Sequence, residues 1–190
     1  MKVLKEKILK YGRVYPGNIL KVDSFLNHQI DMRLITEMGG EFARRYSGCG
    51  VNKVLTIEAS GIILAGVVAC EMCLPMLFAK KAPTKNISDD VYTTSVMSYT
   101  HGRVYDIFVS KEFLLSTDRV LIIDDFLANG VAIEGLSELI RQAGATLVGC
   151  GIAIEKGFQD GGKRLRGKGI RIESLVTVDG MTDNALTFAE

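Results

Sequence analysis

The residues of this sequence best placed to do chemistry lie in one window, Val120-Leu121-Ile122-Ile123-Asp124-Asp125-Phe126-Leu127-Ala128-Asn129-Gly130-Val131-Ala132. Four consecutive aliphatic residues read as a strand buried on both faces. The chain then sets Asp124 and Asp125 side by side where that strand emerges. Adjacent carboxylates repel each other, so they favour a cation or several hydroxyl donors between them. A sugar diol and a magnesium ion both meet that demand. The small residues around Gly130 lead straight into a helix, where backbone N–H groups and the helix dipole attract a phosphate. A diol binder beside a phosphate cradle has the spacing of a ribose 5-phosphate. Either feature alone has an ordinary explanation, because strand-end acids also solubilise loops or cap helices and small-residue turns join many strands to helices. Their union in one short window points to a site.

The elements that must position this window are legible from hydrophobic periodicity. A short amphipathic helix opens the chain, an irregular piece from Tyr11 to His28 carries Pro16-Gly17 and Asn18, and a helix follows from about Asp31 to Tyr46. Asn52 to Ile57 reads as a buried strand, Gly61 to Met72 as a helix after a tight turn, and Pro75 to Ala79 as a second strand. The polar stretch Lys80 to Asp90 predicts a loop, and Tyr92 to Tyr99 with Arg103 to Val109 a hairpin turning at Thr100-His101-Gly102. Beyond Arg119 to Ile123, the pattern gives a helix over Ile133 to Ala143, a strand over Ala145 to Ile154, a basic helix around Asp160 to Arg166 and a last strand over Ile170 to Val178. Alternating apolar strands and helices imply an α/β fold with a mostly parallel sheet covered on both faces, with ligands gathered at the strands' carboxyl ends.

Composition limits the alternatives. The chain has 190 residues, 47% hydrophobic and 24% charged, which suits a single domain with a real core and excludes wholesale disorder. Basic and acidic residues number 23 and 22, so no global charge steers the chain to nucleic acid or an anionic membrane. Met1 to Lys10 lacks the apolar run of a signal peptide, and the uncharged stretch Ala59 to Cys70 is far short of the ~20 residues a spanning helix needs. A cytoplasmic protein is expected. Cys49, Cys70, Cys73 and Cys150 lack a second ligand pair at zinc spacing and are expected to be buried as small hydrophobes. His28 and His101 read as surface or turn residues, Tyr92 and Tyr99 as hairpin packing, and the cluster Lys163, Arg164, Arg166, Lys168 and Arg171 as a solvated face.

The aliphatic quartet, the two acids and the Ala-x-Gly that opens a helix resemble the signature of the type I phosphoribosyltransferases, which transfer ribose 5-phosphate from phosphoribosyl pyrophosphate (PRPP) to a nitrogenous base. Asn129, Val131 and Ala132 stand where many members carry hydroxyl or glycine residues that touch the 5-phosphate. The backbone amides of Ala128, Asn129, Gly130, Val131 and Ala132, with help from the Asn129 side chain, are therefore expected to hold it. The Ala-Asn-Gly form with a long N-terminus is similar to the xanthine-using bacterial branch of the family, and the likeness runs over essentially the whole chain.

The resemblance implies one domain over residues 1–190, with residues 1–30 contributing a hood over the purine and 80–91 a flexible lid. It implies transfer to xanthine, giving xanthosine 5-phosphate (XMP) and pyrophosphate in purine salvage. Asp124 and Asp125 would be the catalytic pair, and magnesium would be carried by PRPP with no direct protein ligand. Glu58, Ser60 and Gly61, between a strand and a helix, would supply an anion nest for pyrophosphate, the alternative being an ordinary turn capped by Ser60. Lys81 would reach the same group. Leu20, Asn27 and Lys156 are the residues expected against xanthine, whose carbonyls at positions 2 and 6 call for donors such as an amide and an ammonium. Phe158 either stacks on the base or packs at its strand end. Relatives are usually homodimers. Two other readings stay open: a transferase for guanine, hypoxanthine or adenine, and a PRPP-sensing regulator, although the chain lacks length for an added DNA-binding domain.

Overall fold

A computed structural model of the chain describes residues 1–81, 90–98, 103–182 and 185–189. Helix α1, Lys2–Tyr11, buries Leu4 and Ile8. A hairpin of β1, Arg13–Tyr15, and β2, Ile19–Lys21, turns through Gly17 at φ +83° and Asn18 at φ +61°, a left-handed conformation that glycine and asparagine tolerate best. A π-helical turn, Asp23–Asn27, leads to α2, Met32–Arg45. Asp31 caps α2 by accepting from the Leu34 N–H at 3.2 Å, and Lys7 donates to its other oxygen at 2.6 Å, tying α1 to α2. The segment that reads as irregular in sequence is thus a hairpin and one wide helical turn.

The main sheet follows in order: β3, Lys53–Ile57; α3, Gly61–Glu71; β4, Met76–Lys81; β5, Val91–Ser98; β6, Arg103–Ser110; β7, Arg119–Leu127; α4, Val131–Gln142; β8, Thr146–Lys156; α5, Asp160–Gly167; β9, Ile172–Thr182; β10, Ala185–Phe188. Its eight strands run β10-β9-β8-β7-β3-β4-β6-β5. The five central strands, β9 to β4, are mutually parallel, while β10 and the β5–β6 hairpin add antiparallel edges. The aliphatic quartet of β7 is shared between two cores. Leu121 and Ile123 join the core containing Leu34, Phe42 and Leu64, and Val120 and Ile122 the one containing Ile133, Leu136 and Leu139. That division is why the run has no polar member.

Several sequence boundaries shift. β7 does not end before the acids but continues to Leu127, because β8 is long enough to pair with it as far as Leu127↔Glu155, and ladder bonding outweighs the poor strand preference of aspartate. Lys80 and Lys81 close β4 and pair with β6, so they do not open the loop; residues 82–89 of the expected lid lie outside the described residues. The short β10 was not expected, since Ala-Leu-Thr-Phe has too little pattern to register. Cysteine burial is also corrected: Cys150 is buried, Cys49 half-buried, and Cys70 and Cys73 exposed at the end of α3 and in the turn after it.

Close packing leaves little slack where β8 crosses α2. A Cβ added at Gly151 would lie 2.6 Å from Ile123 Cδ1 and 2.7 Å from Phe42 Cδ1. Gly151→Ala is expected to lower unfolding free energy by about 1–3 kcal/mol, read from the urea midpoint at unchanged slope; an unaltered midpoint would show that this layer can relax.

Candidate active site

Asp124 and Asp125 are 5% and 6% exposed, and the Asp125 N–H donates to Asp124 Oδ1 at 3.0 Å. Burial raises the Asp124 pKa well above the usual carboxylate range; the Asp125 charge and a side-chain hydrogen bond to Asp125 add to it, and the Asp125 backbone N–H and then the Lys81 ammonium partly offset it. Lys81 stands over the Tyr105 ring at 5.3 Å, and the Tyr105 hydroxyl is itself pushed up by burial and then by the Asp124 charge. Asp124, Lys81 and Tyr105 therefore share one electrostatic neighbourhood. Tyr105 was missed in the sequence because nothing there shows that β6 folds back beside β4.

The turn from β3 to α3 lies against these acids. The Glu58 carboxylate accepts from the Lys81 N–H at 2.5 Å, fastening the turn to the end of β4. Ser60 occupies the N-cap position of α3, as the ordinary-turn alternative expects, but its side chain makes no cap hydrogen bond. Gly61 is required sterically, since a Cβ there would press on Thr56 Oγ1 and lie 2.9 Å from Asp124 Oδ1. The Thr56 hydroxyl is fully buried and has no hydrogen-bond partner among the described residues.

Beyond Leu127, Ala128 and Asn129 lead to Gly130, which adopts φ +78° at the N-cap of α4, a left-handed conformation that disfavours other residues. Asn129 Oδ1 accepts from the Val131 N–H at 3.3 Å. Its side-chain oxygen thus occupies one of the amides that the sequence assigns to an anion, and Val131 and Ala132 begin the helix.

Across the cleft, Lys156 closes β8 and its Nζ donates to the Asn18 carbonyl at 2.8 Å, joining the hairpin turn to the sheet. Burial lowers the Lys156 pKa, and its ammonium lies 5.6 Å from the centre of the Phe126 ring. Leu20 is buried in the first core, with Phe126 and Phe158 packed against that cluster. Asn27 ends the π-helical turn, and its Oδ1 is buried without a partner among the described residues. Phe126 is the aromatic the sequence reading passed over; an aromatic directly after two strand-end acids was the available signal.

The acids, Lys81, the Glu58 to Gly61 turn, the Ala128 to Ala132 turn and Lys156 all lie at the carboxyl ends of parallel strands, where open α/β sheets bind ligands. Two open clefts of about 440 and 520 Å³ lie elsewhere, on the outer side of α1 and the hairpin. Converging chemistry, not volume, marks the site. Among the described residues no three His, Cys, Asp or Glu converge as a metal cage. His28 is exposed and Tyr92 packs on the second core, while Tyr99 and His101 lie outside the described residues. The basic cluster is exposed, as expected, and all of it but Lys163 also pairs with carboxylates: Arg166 with Glu155, Arg164 and Lys168 with Glu134, and Arg171 with Glu173, because β8, α4 and β9 present carboxylates to it.

Because the folded protein holds the Asp124 proton more tightly than the unfolded chain, stability tied to this group is present at low pH and is lost as pH rises above the ordinary carboxylate range. Asp124→Asn is therefore expected to raise the urea midpoint at neutral pH and to leave it nearly unchanged near pH ~4. A midpoint lowered at neutral pH would contradict the burial cost.

Comparison with known proteins agrees with this geometry. The phosphoribosyl transferase domain family matches residues 22–169. Xanthine phosphoribosyltransferase from Alkaliphilus metalliredigens is 52% identical over all of this chain and 94% of its own length. Xanthine phosphoribosyltransferase 1 from Clostridium perfringens is 53% identical over 99% of this chain and all of its own. In fold, adenine phosphoribosyltransferase from Rhodothermus marinus superposes with a TM-score of 0.74 at 24% identity, covering 94% of this chain and 100% of that one. The buried acid pair, the glycine turn after it and these full-length likenesses agree: the chain belongs to the phosphoribosyl transferase family.

Proposed function

We propose that the protein is a xanthine phosphoribosyltransferase, converting xanthine and PRPP to XMP and pyrophosphate. The observation that carries this reading is the buried Asp124–Asp125 pair leading directly into the Gly130 turn, in a chain about half identical to full-length enzymes of that name. The orphaned Asn27 Oδ1 supports a polar base under the hood, since a buried acceptor needs a donor and xanthine offers ring N–H groups beside its two carbonyls. Lys156 supplies a donor for a carbonyl, and Phe126 a ring face.

In this reading the amides of the Ala128 to Ala132 turn other than that of Val131, which Asn129 Oδ1 holds, grip the 5-phosphate, and the acid pair receives the ribose hydroxyls. The Glu58 to Gly61 turn and Lys81 hold the pyrophosphate. The C1–O bond to pyrophosphate breaks with its electron pair leaving on oxygen, positive charge builds on the ribose ring, and N9 of xanthine bonds to C1 from the opposite face while the base's ring proton passes to the released pyrophosphate or to water. The Asp carboxylates stabilise that positive charge, so catalysis is positioning and electrostatics with no covalent nucleophile. Magnesium, arriving on PRPP, would neutralise the departing pyrophosphate. Phosphorylated substrates do not cross membranes unaided, which supports a cytoplasmic reaction; no described helix is long and apolar enough to span a membrane. The homodimer implied by the resemblance is part of the proposal, with light scattering as its test.

Incubation with PRPP, magnesium and each purine in turn should give XMP fastest with xanthine. Absence of nucleotide from every purine would favour a sensor, and preference for adenine would move the substrate. Asp124→Asn combined with Asp125→Asn is expected to cut turnover at least about 100-fold with an unchanged circular dichroism spectrum; retained turnover would remove the acids from the mechanism. Asn27→Ala should raise the KM for xanthine about tenfold while barely moving that for PRPP, and equal changes in both would place Asn27 away from the base.

A further inference from the structure

Helix α5 contributes no group to the mechanism above, yet it is built against the turn assigned to the 5-phosphate. Gly161 faces that turn so closely that a Cβ would overlap the Ala128 carbonyl oxygen and lie 2.6 Å from both Asn129 C and Gly130 N. From the other side, a Cβ on Gly130 would meet Leu165 Cδ1 at 3.0 Å and Gly161 Cα at 3.3 Å. The Asn129–Gly130 peptide is thus packed on its face by α5.

Its edge is held as well. Arg164 Nη2 donates to the Asn129 carbonyl at 2.8 Å, and the same guanidinium donates to Glu134 of α4 through Nη2 at 2.9 Å and Nε at 3.2 Å. Lys168 donates to Glu134 Oε1 at 2.6 Å. Burial works against ionisation of Glu134, but hydrogen bonds from Lys168 and Arg164 outweigh it and hold the carboxyl below its usual range, so the acceptor stays charged at neutral pH. At the far end of α5, Arg166 makes a two-pronged pair with Glu155, at 2.6 and 2.8 Å, and Ser174 donates to the same carboxylate. Glu155 is 4% exposed, which fixes α5 to the end of β8.

We propose that Arg164 is a positioning residue for the 5-phosphate, bridging the Asn129 carbonyl to Glu134 and so setting the direction of the Gly130 amide. The reason is covalent geometry. The Asn129–Gly130 bond is trans, so its carbonyl and its N–H point in opposite directions. A guanidinium that draws the carbonyl toward α5 turns the Gly130 N–H away from α5, into the turn where the phosphate would sit. Without it, the peptide keeps its packing on Gly161 but loses the tie on its carbonyl edge, and the cradle's donor is less firmly preset. Asn129, Val131 and Ala132 offer no hydroxyl to replace it, so backbone orientation matters more here than where side chains grip the anion. Arg164 itself need not touch substrate.

This inference rests on the reading of Ala128 to Ala132 as the phosphate turn. Its test compares, by calorimetry, the affinity of wild type and Arg164→Ala for ribose 5-phosphate and, separately, for magnesium pyrophosphate. Ribose 5-phosphate affinity should fall about tenfold, pyrophosphate affinity should stay within about twofold, and the KM for PRPP should rise while that for xanthine holds. Arg164→Lys, which keeps one donor for the carbonyl, should recover part of the loss. Equal losses for the two ligands, or none, would overturn the proposal. Should Arg164→Ala not fold, Arg164→Lys and Glu134→Gln are expected to show the same selective loss to a smaller degree, and unaltered ribose 5-phosphate binding in both would overturn it. A wild type that binds pyrophosphate but no ribose 5-phosphate would defeat the phosphate-turn reading itself.

Discussion

Two carboxyl groups are held almost out of water toward the carboxyl end of a strand, directly after four aliphatic residues. That arrangement is costly, because burial and the neighbouring Asp125 charge both oppose ionisation of Asp124. It persists because the surrounding sheet leaves no alternative: β3 and β8 pair with β7 on its two sides, and two cores clamp the residues before the acids. A site under such tension is poised to gain from any ligand that brings hydroxyl donors or positive charge, which is what a transferase acting through a cationic ribose needs.

The rest of the molecule secures the approaches to that pair. Glu58 fastens the β3–α3 turn to β4 through the Lys81 amide, and Lys156 fastens the hairpin turn to β8 through the Asn18 carbonyl. On the third side α5 backs the Ala128 to Ala132 turn, locked by Arg166 on Glu155 and by Arg164 on Glu134. The first two ties join a turn to the end of a parallel strand, and the last two join α5 to α4 and to the end of β8. The partners lie from 11 to 138 residues apart in the chain, so the cleft is an assembly of short ties on a rigid sheet.

Much of the fold was legible because burial on both faces writes itself into the chain. The strands at Lys53–Ile57 and Thr146–Lys156 and the helices at Met32–Arg45 and Val131–Gln142 lie within a few residues of their expected bounds. What escaped was set by pairing. The acids lie inside β7, and Lys80 and Lys81 inside β4, because neighbouring strands extend that far; isolated sequence assigns such polar residues to loops. Tyr105 and Phe126 enter the site only once β6 folds against β4 and the hairpin closes over β8. The cysteines at the end of α3 looked like core and are solvent-facing, because Cys70 falls on the outer side of that nearly all-apolar helix.

Sequence alone determined the nature of the chemistry: two adjacent acids after an aliphatic run, then a glycine that starts a helix, are local features, and neighbours in the chain are neighbours in space. Tertiary structure alone decided which further groups serve that chemistry. The raised Asp124 pKa, the Thr56 and Asn27 oxygens that lack a partner among the described residues, and the bracing contacts of a basic helix all depend on burial and on contacts between separate segments. Desolvation and hydrogen-bond saturation are properties of the packed surroundings, and no residue type carries them on its own.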